Sequence, residues 1–500
     1  MSQNEKKYQI LLITNRDWDN LGDQVVELCD LGLISVVMDN LNILNYEINS
    51  QDASLFPKEY VKTGDASLLQ YAEELIMQSD LIIFGGAPMF NFRYESFYGM
   101  TAAALELAEK HHKPVLFSAI GVEAYDGTNE KCQMLKKALN YPCVRQITTR
   151  DNYDSLCQYK ERTELVIGKV ADPAVYCGEM LRQFHSVKTE NSKRIGIFIL
   201  RASGFLDNKI NLSVSAVKEL WSSLIRRLEA DGYECELITS GYFADEAFLH
   251  RLIRDGVVEE RQCVFGMNTP EQIVEKISSY AGVISTRLHP SIISYSLGVP
   301  AVGIVWNPKV REFYTSIGYP ERSISAEDIR ADEVADCLEA AMTSGVEKQA
   351  DYRFSIYQTL FEGIRKVLCP QSTIAMYSEE ELLSRLPSYG QTSPEVLDAK
   401  VIRKLRKVYE NYNTSTRKNT DYKKQVEKLN QELNTEKEKR KKKEEKIQEL
   451  KTRQQNQKEK IEHLKRENRE KSEKIEMLEQ SLTWIGKLKY KRKQSRAKRK

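Results

Sequence analysis

Short apolar or β-branched runs alternate with helix-length segments from residue 8 to about residue 320. Runs at 8–14, 81–84, 114–120, 146–149 and 165–167 predict buried strands, with helices predicted at 98–110 and 131–140. Such alternation calls for right-handed βαβ crossovers and a mainly parallel sheet. Around 185–192 the chain turns polar, which places a domain joint there. A second series follows, with strands predicted at 194–200, 234–239, 262–265, 282–285 and 301–305. Helices are predicted at 213–230, 270–279 and 310–317, and two more at 325–344 and 347–368 close the globular part. The expected fold is α/β, with two Rossmann-like domains, 1–187 and 188–386, facing a cleft.

Residues 387–400, with Pro387, Ser388, Gly390, Ser393 and Pro394, read as a linker. Beyond it the apolar residues fall on a heptad register over 401–486. Val426, Leu433, Ile447, Ile461, Ile475 and Leu482 take a positions, and Leu429, Leu450, Leu464, Leu478 and Ile485 take d positions. Ile at a with Leu at d favours a parallel two-stranded coiled coil, hence a homodimer. Arg440, Lys443, Gln454, Gln457, Asn468 and Lys471 interrupt the seam, so the coil should be weak. A single solvated helix is the competing expectation. Residues 487–500 form a basic tail with Tyr490 among the lysines and arginines, suited to an anionic membrane surface, with nucleic-acid phosphates or a merely solvated tail as the competing expectations.

The net charge of +2 conceals a division. Residues 401–500 hold 34 Lys+Arg and 16 Asp+Glu, leaving 40 and 56 for the body, which is near −16. An acidic body is a poor general nucleic-acid binder, so nucleic acid is not expected as a partner. Nine scattered cysteines without a CxxC pair suit reduced thiols better than disulfides or zinc. The first residues lack the apolar core of a secretion signal, and no apolar run nears the ~20 residues that span a bilayer. The expectation is a cytoplasmic protein, peripheral at the inner membrane face if the tail binds there.

The densest chemistry lies in Ile284-Ser285-Thr286-Arg287-Leu288-His289-Pro290. The strand at 282–285 should end here and a helix begin at Pro290, whose missing N–H costs nothing at a first helical position. Arg287 and His289 would then stand at a strand's carboxyl end beside a helix N-terminus, a place that favours anions. A surface arginine and a packed histidine are the competing reading of the turn. Arg201 follows the first strand of the second half, so a parallel sheet puts it on the same rim. Two arginines and a histidine describe a pocket for a small, strongly anionic ligand. Asp23, in Asn20-Leu21-Gly22-Asp23, either caps a helix beginning near Gln24 or faces the cleft. Gly85-Gly86 follow a strand and would let backbone approach a ligand. No His/Asp/Glu cluster has metal-ligand spacing, and no cofactor is expected.

In this order, Asn20-Leu21-Gly22-Asp23, Gly85-Gly86, Ala119-Ile120-Gly121-Val122, Thr149-Arg150-Asp151 and Ala171-Asp172-Pro173 continue through Arg201, Ser285-Thr286-Arg287-Leu288-His289, Gly298-Val299-Pro300 and Pro308-Lys309-Val310. The ordered set resembles the polysaccharide pyruvyl transferase family. The resemblance implies a GT-B-like fold and transfer of a pyruvyl group from phosphoenolpyruvate to a sugar of a cell-surface polysaccharide, in cell-wall or lipid-linked glycan synthesis. It implies a donor site of Arg201, Arg287, Leu288 and His289 in the second domain, with the acceptor on the first. His289 would move the proton, Lys309 would bind phosphate or cap the rim, and Asp23 would serve the acceptor. Ala87 stands where the family often has a third glycine, and Pro290 where it often has alanine. The rival expectations are a GT-B glycosyltransferase using a nucleotide sugar and a non-catalytic coiled-coil scaffold.

Overall fold

Continuous apolar runs become the inner strands of two parallel sheets, buried on both faces by helices. The computed structural model describes residues 6–16, 20–86, 89–92, 97–186 and 193–498. Ala87 and residues 187–192, where the sequence places the domain joint, lie outside them. The first sheet contains β1 (Tyr8–Thr14), β2 (Tyr46–Asp52), β3 (Leu81–Gly85), β4 (Val115–Ile120), β5 (Val144–Thr149) and β6 (Val166–Lys169). Their spatial order is β2-β1-β3-β4-β5-β6. The second contains β7 (Arg194–Phe198), β8 (Glu234–Ile238), β9 (Gly282–Ser285), β10 (Ala301–Val305) and β11 (Ser323–Ser325). Its order is β11-β10-β9-β7-β8. Every ladder is parallel.

Several expectations change. The segment 262–265 makes a single parallel bridge, Leu237 to Cys263, instead of a strand. Of the segment 325–344, Ser325 ends β11 and the helix begins only at Ala331, running to Ser344. The helix expected at Pro290 starts at Leu288, with Arg287 as its N-cap and Pro290 within the first turn, where an absent N–H still breaks no helical bond. The helix Ala350–Leu368 returns to the first sheet. Gln146 of β5 donates to Thr359 O at 2.9 Å, and Ala171 N–H donates to Ser355 Oγ at 2.9 Å.

The helix Leu21–Asn40 belongs to the core of both halves. Sixteen of its 20 residues are buried, so it has no solvent face of ordinary width. Leu21 N–H donates to Ser240 O beyond β8 at 3.0 Å. At its other end Asn40 accepts from Tyr377 N–H at 2.9 Å and donates to Ala375 O at 3.0 Å. One apolar cluster accordingly contains Ile10 and Leu12 of β1 together with Phe198 and Val283 of the second sheet.

Residues 387–393 are fastened, with Tyr389 N–H on Met180 O at 2.9 Å and Thr392 N–H on Glu271 Oε1 at 2.9 Å. The last helix, Pro394–Ala497, takes in the final residues of the expected linker. Contacts divide the chain into Met1–Val408 and Tyr409–Lys500. Within the second unit the heptad residues lie on helix, exposed, as Leu450 and Leu478 show. No helix among the described residues is long and apolar enough to cross a membrane.

Gly196 of β7 faces the buried Tyr280 ring, and a Cβ there would sit 2.4 Å from its Cε2. Gly196→Ala should destabilise the body by ~1–3 kcal/mol through overpacking. The urea midpoint should fall with an unchanged slope.

Candidate functional site

The second sheet reverses its winding between β7 and β9, because the chain proceeds from β7 outward to β8 on one side and from β9 to β10 and β11 on the other. Ligands of open α/β sheets collect at the carboxyl ends of strands at such a point. Arg201 follows β7 and Arg287 follows β9, so sheet order brings both to this crevice. Thr286 fixes the β9 turn by donating both its N–H and its hydroxyl to Phe198 O, at 3.0 and 2.8 Å.

Asp245 holds the two arginines together. It lies in the first turn of the helix Phe243–Arg254, and its side chain is fully buried. Its Oδ2 accepts from Arg287 Nε at 2.9 Å and Nη2 at 2.5 Å. Its Oδ1 accepts from Arg201 N–H at 3.0 Å and lies 3.8 Å from Arg201 Nη1. The Tyr242 ring is near both guanidinium groups, 5.6 Å from Arg201 Cζ and 5.1 Å from Arg287 Cζ. Trp306 covers Arg287 at 5.5 Å. Charge, hydrogen bonds and ring quadrupoles all restrict these cations.

Both arginines line a cavity of about 600 Å³. The first half contributes Asn91, Val122, Glu123, Asp151 and Asn152, while Tyr242, Trp306, Lys309 and Glu312 come from the second. Asn307 caps the helix Pro308–Ser316 by accepting from Lys309 N–H at 3.1 Å, which sets the lysine at the rim. Lys309 Nζ lies 3.7 Å from Glu123 Oε1 and 3.8 Å from Asp151 Oδ2. Glu312, half-buried, has its pKa raised by burial and by the neighbouring Asp151 carboxylate.

His289 lies behind this wall, outside the cavity lining. Its Nε2 is 3.5 Å from Arg150 Nη1 and 3.9 Å from Asp172 Oδ2, and Arg150 Nη1 meets Asp172 Oδ2 at 2.5 Å. Burial pushes the imidazole down to about 4, against an opposing pull from Asp172. At neutral pH the free protein therefore holds a neutral His289. Gly22 is required beside it, since a Cβ would fall 2.1 Å from His289 Nδ1.

Arg201, Arg287 and Lys309 share the cavity; Asp23, Gly85, Gly86 and Leu288 do not line it. Asn20 caps the helix Leu21–Asn40, while the buried Asp23 Oδ2 accepts from Asn15 at 3.1 Å and Asn20 at 2.9 Å. Gly85 and Gly86 serve packing, because their Cβ atoms would strike Asp30 Oδ2 at 2.3 Å and Val26 Cγ1 at 2.0 Å. Leu288 packs against the shared core. Asp245 carries no motif and is found only through the sheet order. No group of three His, Cys, Asp or Glu among the described residues is placed to hold a metal ion. The arrangement can bind two anionic groups on one wall and hydroxyl groups on the other.

A family model described as polysaccharide pyruvyl transferase matches residues 14–308. No curated protein matches the sequence. Among solved structures, UDP-GlcNAc 2-epimerase from Methanocaldococcus jannaschii is similar at 11% identity and a TM-score of 0.45, covering 71% of this chain and 98% of that one. A putative UDP-N-acetylglucosamine 2-epimerase from Listeria monocytogenes gives 8%, 0.49, 77% and 100%. The E. coli heptosyltransferase WaaC with ADP gives 11%, 0.34, 67% and 99%. These TM-scores fall below 0.5, and the fold description stands on the strand topology alone.

Because His289 falls from 6.5 to about 4 on folding, the unfolded chain binds the extra proton between those values. Stability should be lost as pH falls from 6.5 towards 4, by roughly 3 kcal/mol from this group. His289→Gln should flatten that part of the profile in urea titrations at each pH.

Proposed function

The chain belongs to the polysaccharide pyruvyl transferase family, and from that premise we propose that it transfers a pyruvyl group from phosphoenolpyruvate to two hydroxyls of one sugar. The observation that carries the reading is the convergence of Arg201 and Arg287 on one cavity, tied by Asp245. Phosphoenolpyruvate presents a carboxylate and a phosphate on three carbons, so each guanidinium can take one group. Arg201 and Arg287 lie against the Tyr242 ring and Arg287 against the Trp306 ring, so a nucleobase stacking on either would compete with arginine. That favours this donor over a nucleotide sugar.

In the proposed reaction the bound trianion raises the proton affinity of His289, offsetting its burial. The donor methylene takes up one proton, supplied from the His289 imidazolium behind the cavity wall, and becomes a methyl group. One sugar hydroxyl adds to the adjacent carbon. The phosphate then departs with the proton of that hydroxyl, and the second hydroxyl adds and returns a proton to His289. Donor and diol become a ketal and hydrogen phosphate. Lys309, at the rim, is placed to draw the phosphate. Asp23, buried and tied to Asn15 and Asn20, would act on the acceptor only by fixing the helix Leu21–Asn40.

For the last unit we propose self-association through its heptad face and attachment of the basic tail to anionic lipid, at the inner membrane face. Each basic residue near such a surface contributes ~1 kcal/mol.

Phosphate release from phosphoenolpyruvate should require a polysaccharide or lipid-linked glycan fraction from the cells that make the protein. Arg287→Ala and Arg201→Ala should each lower kcat/KM by about 10- to 100-fold, the scale of a lost charged hydrogen bond. Donor-independent glycan modification, or transfer from a nucleotide sugar, would overturn the reading. A chain ending at Val408 should no longer sediment with phosphatidylserine vesicles at low salt, whereas the full chain should do so and be released by salt.

A further inference from the structure

We propose that Asp151 is the acceptor-side catalytic base, with Oδ2 as the atom that takes the proton of the first attacking hydroxyl. This rests on the pyruvyl-transfer reading and deepens it.

Asp151 follows β5, and its side chain is 4% exposed at the wall of the cavity. Oδ1 is saturated. It accepts from Val122 N–H at 2.8 Å, Asn152 N–H at 2.8 Å and the Thr149 hydroxyl at 3.0 Å. These donors lock the carboxylate plane. Oδ2 has no hydrogen-bond partner among the described residues. A buried carboxylate oxygen left in this state is costly, and a ligand hydroxyl would satisfy it. The nearest cation, Lys309 Nζ, stands 3.8 Å from Oδ2, beyond hydrogen-bond distance, so it does not take the lone pair. Glu123 Oε1 lies 3.7 Å from Lys309 Nζ, and the half-buried Glu312, contributed by the second half, has an Oε2 without a hydrogen-bond partner among the described residues. An acceptor-only carboxylate surface suits a polyhydroxylated sugar and rejects a second anion.

The chemistry follows from that placement. As the sugar oxygen bonds the central pyruvyl carbon, its O–H bond breaks and the proton passes to Asp151 Oδ2. When the bond from that carbon to the phosphate oxygen breaks, the proton leaves with the phosphate. Asp151 is thereby an ion again, and no other reactant is needed. Positioned proton transfer of this kind is worth ~10²–10⁴-fold.

The test uses the full chain, phosphoenolpyruvate and the same glycan fraction. Asp151→Asn keeps the Oδ1 acceptor and removes the base. It should lower acceptor-dependent phosphate release ~10²–10⁴-fold, while phosphoenolpyruvate still raises its melting temperature as in the wild type. In Asp151→Ala, added formate should restore at least tenfold of the lost rate and leave the wild type unaffected. Release within threefold of wild type in Asp151→Asn overturns the assignment, and so does a loss of phosphoenolpyruvate binding equal to the loss of rate. Absence of formate rescue in a folded Asp151→Ala also counts against it. Should the wild type itself fail to bind phosphoenolpyruvate, the pyruvyl-transfer reading fails first, a result separable from the others.

Discussion

A charge removed from water at the meeting of the two sheets must find its counter-charge there, and the body is organised around two such pairings. Asp245, fully buried, binds Arg287 and the backbone of Arg201. Asp172, 2% exposed, binds Arg150 with His289 3.9 Å away. Burying one ion of such a pair without its partner typically costs 3–5 kcal/mol. Neither pair comes from neighbours in the chain. Arg150 follows β5, His289 follows β9, and Asp172 precedes the turn at Pro173–Tyr176. Each pair is thus closed within one half, Asp245 with the arginines in the second and Arg150 with Asp172 in the first, and His289 sets the second half against the first pair.

The helix Leu21–Asn40 makes that junction continuous. Its N-terminus reaches Ser240 beyond β8, and Gly22 lets it pass against His289. A side chain at Gly22 would push the helix from the imidazole and open the place where His289 is kept dry. Dryness in turn decides the proton: at about 4, His289 is uncharged until an anion arrives. In the proposed reaction burial and catalysis would be linked by the ligand's charge, because a strongly anionic partner offsets the desolvation that discharges the ring.

The sequence was most readable where periodicity was strongest. β1, β9, β10 and the helix Pro270–Ser279 lie where their apolar patterns place them. β2, of sequence Tyr-Glu-Ile-Asn-Ser-Gln-Asp, was not, because an edge strand half in solvent needs no apolar alternation. The rim arginines were legible because a parallel sheet puts every strand's carboxyl end on one side. Asp245 was not legible, since its link to Arg201 and Arg287, over 40 residues away each, exists only once β8, β7 and β9 are ordered. The glycine pair misled for a related reason. Gly85 and Gly86 do permit a close approach, but what approaches is the helix carrying Val26 and Asp30. Sequence shows that space is needed and not what fills it.

The charge of the cavity is divided by origin. The cationic wall belongs to the second sheet, and its fully buried carboxylate, Asp245, is turned to the arginines. The wall from the first sheet offers Asp151 and Glu123, with Lys309 reaching across from the second to both. A trianionic donor and a neutral polyol would sort themselves between these walls by electrostatics alone, the donor against Arg201 and Arg287 and the polyol against oxygen acceptors. Lys309 stands at the boundary, where phosphate would leave and hydroxyls attack. Its two carboxylate neighbours, at 3.7 and 3.8 Å, are too distant for hydrogen bonds, so its ammonium donors remain oriented by charge without being consumed. In the proposed reaction the same lysine would face both the attacking hydroxyl and the departing phosphate, which is why the division of charge between the sheets matters more than any single residue on either.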